Sequence, residues 1–132
     1  MTETPTRVGI ALVERSGRYL VRRRPDVPGS PMPGRWEFPG GKAMDDESAG
    51  ACAVRECREE SGLAGVASGV RMRVVHRYPH GLVELNYVDV TTEHDAEPAE
   101  GSGFAWVAAA DLPGLDFPEA NGPILAELAR GT

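Results

Sequence analysis

Residues 41–63 read GKAMDDESAGACAVRECREESGL, and this stretch predicts a loop followed by a single helix. Its second part, Glu47–Ser61, predicts one helix, because Gly62 is a residue type that commonly ends helices and Leu63 can supply the hydrophobic contact of such an end. Just before it, Trp36–Gly41 predicts a short strand that breaks at its glycines. A strand, a loop and a helix are therefore expected in succession.

Three glutamates of this helix share one face. Glu56, Glu59 and Glu60 lie at positions i, i+3 and i+4, and like charges at such spacings destabilise an isolated helix by roughly 0.2–0.5 kcal/mol per pair. Arg55 and Arg58 are expected to point elsewhere and to leave part of this charge uncancelled. Taken alone, the three glutamates are compatible with a solvated acidic face as well as with a metal site.

Small residues on the same face indicate that it packs inward. They are Ala49, Cys52 and Ala53. Carboxylates that extend an inward-facing stripe are costly to bury unless a cation is present. Carboxylate oxygens are ligands that suit Mg²⁺ or Mn²⁺, which often bridge protein carboxylates and substrate phosphates. The helix therefore predicts a divalent-metal site. A bound metal ion would neutralise the phosphates of a single nucleotide, so an acidic protein could bind one.

The rest of the chain alternates strand-like and turn-like segments. The predicted strands are Val8–Glu14, Arg18–Arg24, Val66–Tyr78, Leu82–Thr92 and Phe104–Val107, and a last helix is predicted over Pro123–Arg130. A turn at Ser16–Gly17 makes the first two strands a hairpin. Residues 25–34 contain four prolines and two glycines and predict a stiff exposed loop, and residues 93–103 predict a polar loop. We expect one α/β (α+β) domain over residues 1–132, with a mixed sheet.

The composition argues against several classes of protein. Fourteen basic residues stand against 20 acidic ones, so nucleic-acid polymers are not expected as partners. Residues 1–7 lack the apolar core of a signal peptide and no apolar run approaches membrane length, so we expect a cytoplasmic protein without a membrane partner, as a monomer or weak dimer. Cys52 and Cys57 lie five residues apart on one helix, where their side chains diverge, so no disulfide is expected.

The stretch at 41–63 resembles the signature of the Nudix hydrolases. It matches the pattern G-x5-E-x7-R-E-U-x-E-E-x-G-U at each fixed position, with Cys57 where U is normally a bulky aliphatic residue. The resemblance extends over most of the chain, and within the family the chain is similar to the MutT branch. The stretches that carry it are Trp36–Lys42, Tyr78-Pro79, Glu100 six residues before Trp106, and Phe117–Ile124. It implies the Nudix fold, a mixed sheet between helices.

The resemblance also implies a metal site and its chemistry. The implied ligands of Mg²⁺ or Mn²⁺ are the carboxylates of Glu56, Glu59, Glu60 and Glu100 and the carbonyl of Gly40. Arg55 would pair with Glu47 and hold the loop against the helix. Metal-activated water would then convert a nucleoside triphosphate to a monophosphate and pyrophosphate, with Glu56 as the first choice of base and Glu100 as the second. Glu100 could also be an ordinary solvated loop glutamate.

Four further residues are implied to contact the nucleotide. Asn121 matches an asparagine that hydrogen-bonds the base, although an Asn before Gly-Pro could equally cap a helix. Phe38 would flank the base or belong to the core, and Tyr78 is a similar candidate. Arg24 would approach the nucleotide; alternatively, the arginines at 22–24 protect an exposed edge strand. The histidines are expected at the surface: His76, His80 and His94.

Several functions remain open at this point. The favoured one is house-cleaning of the nucleotide pool, and hence DNA repair, by hydrolysis of 8-oxo-dGTP. Hydrolysis of CTP or dCTP, or of a dinucleotide-type substrate such as ADP-ribose, is the alternative within the enzyme class. An alternative of another class is a catalytically inactive nucleotide-binding Nudix module, but such modules usually lose glutamates that this chain retains.

Overall fold

The computed structural model describes residues 3–131, so residues 1, 2 and 132, at the ends of the predicted domain, lie outside the described part. The strands are β1 (Thr6–Arg15), β2 (Arg18–Arg23), β3 (Trp36–Glu37), β4 (Gly40–Lys42), β5 (Gly65–Tyr78), β6 (Gly81–Thr92) and β7 (Ala105–Ala108). The helices are α1 (Ala49–Ser61) and α2 (Gly122–Arg130), with short 3₁₀ turns at Ala109–Gly114 and Glu119–Asn121. The predicted loops at 25–34 and 93–103 contain no helix or strand.

The strands form a mixed sheet, as predicted. Its order is β3-β2-β1-β6-β5, with β4 paired to β1 and β7 paired to β2. The pair β1–β6 is parallel, while the other pairs are antiparallel. The hairpin of β1 and β2 is confirmed, and its turn residues Ser16 and Gly17 both have positive φ, 51° and 80°.

Helix α1 begins at Ala49 and not at Glu47. The hydroxyl of Ser48 accepts a hydrogen bond from the Ala51 amide at 3.1 Å, so Ser48 caps the helix and Glu47 stays in the preceding loop. The end is as predicted: Gly62 has φ 82° and its amide donates to the Arg58 carbonyl. Most other bounds differ by one or two residues, within the usual fraying of element ends, including Arg24 and Phe104, which fall just outside β2 and β7. The strand predicted over Trp36–Gly41 is wrong: it ends at Glu37, before Pro39, which has no amide hydrogen to donate, and Gly40 and Gly41 belong to β4, which pairs with β1.

The interpretation of residues 22–24 as an exposed edge strand is wrong. Strand β2 pairs with β1 at Arg18 and Tyr19, with β7 at Arg18–Val21 and with β3 at Arg22 and Arg23, so each of its residues has a partner strand. Arg22 stands opposite Glu37 and Arg23 opposite Trp36. The arginines of this segment therefore face neighbouring strands rather than guard an edge.

Alternate residues of β1 supply the two halves of the core. Ile10 and Leu12 belong to a cluster that packs under α2, while Ala11 and Val13 belong to a cluster that packs under α1. This follows from the two-residue period of a strand, whose side chains point to opposite faces of the sheet. The sheet consequently lies between the two helices, which is the arrangement that the resemblance implies.

Close packing fixes α1 on the sheet. A Cβ atom added at Gly9 of β1 would lie 2.8 Å from the Cβ of Cys52 and 2.9 Å from the Ala53 amide nitrogen, so only glycine fits there. Cys52 also donates through its Sγ to the Gly41 carbonyl at 3.2 Å. Cys52 and Cys57 are both buried and unbonded to each other, as expected. The helix is thereby held against β1 and β4, and its later turns reach the glycines that follow β3.

Candidate active site

Two of the three helix glutamates lie where the sequence predicts. The side chains of Glu56 and Glu60 are only 16% and 19% exposed, beside the fully buried Ala53 and Cys57. The side chain of Glu59 is 56% exposed, so the prediction of an inward-facing position is wrong for this residue. The buried residues of α1 are Cys52, Ala53, Cys57 and Ser61, and Glu59 lies outside this stripe, where its carboxylate binds Arg55.

Arg55 connects the loop before α1 to the helix glutamates. Its Nε and Nη2 donate to the two carboxylate oxygens of Glu47 at 2.7 and 2.8 Å, so the predicted pair is present and bidentate. Its Nη1 donates to Glu56 at 3.2 Å and to Glu59 at 3.1 Å, which corrects the expectation that Arg55 points elsewhere. The guanidinium and the Met44 amide lower the pKa of Glu47 to about 2. This network fixes the loop that carries Glu47.

Glu56 and Glu60 form a carboxyl pair. Burial, and then the contact with Glu56, raises the pKa of Glu60 to about 8, which favours the protonated form of this carboxyl group. A Cβ atom at Gly41 would collide with the Glu56 carboxylate, so this glycine makes room for the group beside the backbone. Half-buried carboxylates next to backbone carbonyls are a donor set that fits a hard divalent cation, which would take the place of the shared proton.

The remaining predicted ligands are not gathered round one point. Within residues 3–131, no three acidic, histidine or cysteine side chains form a ready group of metal ligands. Glu59 is turned toward Arg55, and Glu100 is exposed on its loop. That loop does reach the helix, since the Ala99 amide donates to the Ser61 carbonyl at 2.7 Å. The Glu100 backbone is thus near the end of α1, while its carboxylate extends into solvent.

Sequence reasoning missed two charged residues of the site, Arg22 and Glu37. Arg22 Nε donates to Glu37 at 2.7 Å, and Arg22 Nη2 lies 3.4 Å from a carboxylate oxygen of Glu60. Arg24 Nε binds the other oxygen of Glu37 at 2.9 Å. The signal was the two-residue spacing of Arg22 and Arg24, which puts both on one side of β2, but their partners depend on the pairing of β2 with β3.

A cleft of about 200 Å³ begins at the glycines of β4 and brings the four predicted nucleotide contacts together. Its lining includes Gly40 and Gly41 at one end and the predicted residues Arg24, Phe38, Tyr78 and Asn121. A second recess, of about 450 Å³, adjoins it and shares Met32, Arg35, Tyr78 and Pro118. The sequence-predicted candidates therefore line one continuous depression that leads away from the carboxyl pair.

Asn121 does not cap α2 with its side chain, so the helix-cap interpretation is wrong. Its Oδ1 accepts a hydrogen bond from the Tyr87 hydroxyl at 2.8 Å, and its Nδ2 donates to the Pro118 carbonyl at 3.2 Å. Burial raises the pKa of Tyr87, which keeps that hydroxyl a neutral donor. These two bonds fix the orientation of the amide at the wall of the cleft.

Aromatic rings form the rest of the wall. Phe38 is 4% exposed and packs against Phe117 with ring centroids 5.1 Å apart, so it belongs to the core while it also lines the cleft. Tyr78 lies between His76 and His80, at centroid distances of 4.6 and 5.4 Å. His80 and His94 are exposed, as expected, but His76 is half-buried and lines the second recess.

Comparison with known proteins identifies the family. Residues 8–127 match the model of the NUDIX domain. The chain is 30% identical over 125 residues to the 8-oxo-dGTP diphosphatase of Escherichia coli K12, covering 93% of this chain and 94% of that protein. It is 35% identical over 118 residues to the CTP pyrophosphohydrolase of the same organism, covering 80% and 85%. The crystal structure of the MutT protein from Methanosarcina mazei Go1 superposes with a TM-score of 0.75 at 23% identity, covering 98% of this chain and 96% of that one, which supports the fold.

The chain belongs to the Nudix family, and its resemblance to the MutT branch is confirmed. It is a Nudix pyrophosphohydrolase, as the signature at residues 41–63 predicts. Enzymes of this family act on small nucleotide substrates and generally use divalent metal ions. In the part of the chain that the structure describes, no helix is long and apolar enough to span a membrane.

Proposed function

We propose that this enzyme hydrolyses 8-oxo-dGTP to the monophosphate and pyrophosphate with Mg²⁺, or Mn²⁺, and so cleanses the nucleotide pool. One observation carries the proposal: the Glu56 carboxylate lies beside Gly41, at one end of a cleft whose walls are Phe38, Tyr78 and Asn121. A nucleotide held in that cleft would extend its phosphates toward the carboxylates. The relatives named 8-oxo-dGTP diphosphatase support the same substrate.

The proposed metal ligands are Glu56, Glu59, Glu60, Glu100 and the carbonyl of Gly40. When bound, a divalent ion would activate water and neutralise phosphate charge. Glu59 and Glu100 are exposed, and Glu59 binds Arg55, whereas Glu56 and Glu60 are already half-buried. The rigid half of the site therefore comes from α1.

Glu56 is the proposed base that takes the proton of the attacking water. Its carboxylate is 16% exposed, lies 3.2 Å from the Arg55 guanidinium and packs against the backbone at Gly41. Glu100, the second choice, has an exposed side chain without such constraints. A base must stay within hydrogen-bond reach of its water, and a held carboxylate satisfies this more readily than a free one.

The base of the nucleotide is proposed to meet the amide of Asn121. With Oδ1 and one Nδ2 proton engaged by Tyr87 and Pro118, the amide presents its second Nδ2 proton in a fixed direction. Phe38 and Tyr78 would contact the flat faces of the base. Arg24, which is paired with Glu37 at the same cleft, would interact with the nucleotide from the side of β2.

A second candidate substrate is CTP or dCTP, because the chain is 35% identical to a CTP pyrophosphohydrolase. An ADP-ribose-type activity has no comparable support. A catalytically inactive module is disfavoured, because every charged residue of the signature is present and Glu47, Arg55 and Glu56 form one connected network.

A substrate panel tests the proposal. Wild-type protein with Mg²⁺ is incubated with 8-oxo-dGTP, dGTP, CTP, dCTP and ADP-ribose, and products are separated by chromatography, with Glu56→Gln as the inactive control. We expect the highest kcat/KM for 8-oxo-dGTP. A preference for CTP or dCTP would replace the proposed substrate by the second candidate, and a preference for ADP-ribose would refute both.

A further inference from the structure

Arg22 lies between two carboxylates of the site. Its Nε is 2.7 Å from Glu37 and its Nη2 is 3.4 Å from Glu60. The guanidinium also lies over the ring of Phe104, 4.6 Å from the centroid, and Nη1 donates to the Ser102 carbonyl at 3.5 Å. With a side chain only 28% exposed and contacts on several sides, this cation has a fixed place.

The other arginines of the site are committed to different carboxylates. Arg55 forms its bidentate pair with Glu47, at the opposite side of the glutamate cluster, and Arg24 pairs with Glu37. Neither is bonded to Glu60 among the described residues. The cation that touches Glu60 is therefore Arg22, although Arg22 belongs to β2 and lies outside the signature at residues 41–63.

We propose that Arg22 is a resident cation of the metal site, which positions the Glu60 carboxylate and competes with the divalent ion for it. The inference rests on the proposed function, because it requires that Glu60 is a metal ligand. Since Glu37, Phe104 and Ser102 hold the guanidinium, its charge stays beside Glu60 when the metal enters. The nucleotide-free enzyme consequently binds its metal weakly, and the substrate's phosphates supply the missing affinity.

The size of the effect follows from Coulomb's law. A guanidinium and a divalent ion roughly 6 Å apart repel each other by an amount that corresponds to about ten-fold in affinity, even in a water-like dielectric. Removing the charge of Arg22 should therefore tighten metal binding. If Arg22 only ties β2 to β3 through Glu37, removing it would loosen Glu60 and leave metal binding unchanged or weaker.

The experiment is a Mn²⁺ titration without nucleotide, in which free Mn²⁺ is measured by electron paramagnetic resonance. Arg22→Gln and Arg22→Met remove the charge, and the second retains an apolar contact for Phe104. Arg22→Lys keeps the charge. Arg18→Gln is the matched control, because it removes the same charge from an exposed position of the same strand. Circular dichroism verifies the fold of each variant.

We expect both uncharged variants to bind Mn²⁺ about ten-fold more tightly than the wild type, with Arg22→Lys and Arg18→Gln close to the wild type. Unchanged or weaker binding by folded Arg22→Gln and Arg22→Met would overturn the inference. Failure of the proposed function would give a different result. In that case, Mn²⁺ would not bind to the wild type at a site that the Glu56→Gln substitution abolishes.

Discussion

The Glu56–Glu60 pair predicts an unusual dependence of stability on pH. The pKa of Glu60 is raised from its ordinary value of 4.5 to about 8, first by burial and then by the hydrogen bond with Glu56. Between these two pH values the folded protein holds a proton that the unfolded chain releases. The free energy of unfolding should therefore fall as the pH rises through this window, when no metal is present.

The slope can be worked from the proton difference. One proton held only by the folded state changes the free energy of unfolding by at most about 1.4 kcal/mol per pH unit. Glu60→Gln removes the titrating group and should flatten this slope, which makes the metal-free variant more stable than the wild type near pH 8. Glu119→Gln is the control, because Glu119 is exposed and far from the pair along the chain.

The assay is urea unfolding in EDTA at pH 5, 6, 7 and 8, followed by circular dichroism. Saturating Mg²⁺ should reverse the trend in the wild type, since a metal that replaces the shared proton binds more tightly as the pH rises. A wild-type stability that rises from pH 5 to 8 in EDTA, or a slope that Glu60→Gln leaves unchanged, would refute the reasoning about this pair.

Three further predictions concern single residues. Glu47→Gln should remove stability that is present above pH 4.5 and lost as the pH falls toward 2, because Arg55 lowers the pKa of Glu47. Acid unfolding curves measure this loss, and a curve identical to that of the wild type would contradict the prediction. Gly41→Ala should lower kcat about 100-fold in a folded protein, since the added Cβ displaces the Glu56 carboxylate. Near-normal turnover would show that the close contact between Gly41 and Glu56 is unimportant for catalysis. Asn121→Ala should change the ratio of kcat/KM between 8-oxo-dGTP and dCTP by about ten-fold without altering the Mg²⁺ requirement, whereas an equal loss for both nucleotides would indicate a structural role.

The helix and its end could be predicted from residues 41–63 because the information is local. The spacing of Glu56 and Glu60 fixes their common face, and Gly62 ends the helix by its own conformational freedom. The helix starts two residues later than predicted, because Ser48 caps it through a hydrogen bond from the Ala51 amide, while Glu47 binds Arg55 from the loop. Local sequence patterns thus predict the helix and the two buried glutamates that it contributes to the site.

The rest of the site depends on contacts between residues far apart in the chain. Arg22 meets Glu60 only because β2 pairs with β3 next to α1, and nothing in the local sequence specifies that neighbour. In the same way, Asn121 is released from a capping role by the hydroxyl of Tyr87, 34 residues earlier. Helical spacing predicts an inward position for Glu59, but its carboxylate instead accepts a hydrogen bond from Arg55 at the exposed border of α1.

We propose that the carboxyl pair of α1 is the metal-dependent centre of a nucleoside triphosphate pyrophosphohydrolase. The test is phosphorus NMR of the products that the wild-type protein and Glu56→Gln form from 8-oxo-dGTP in the presence of Mg²⁺. We expect nucleoside monophosphate and pyrophosphate from the wild type, and a rate at least about 100-fold lower for the variant. Release of inorganic phosphate instead of pyrophosphate, or undiminished turnover by Glu56→Gln, would contradict it.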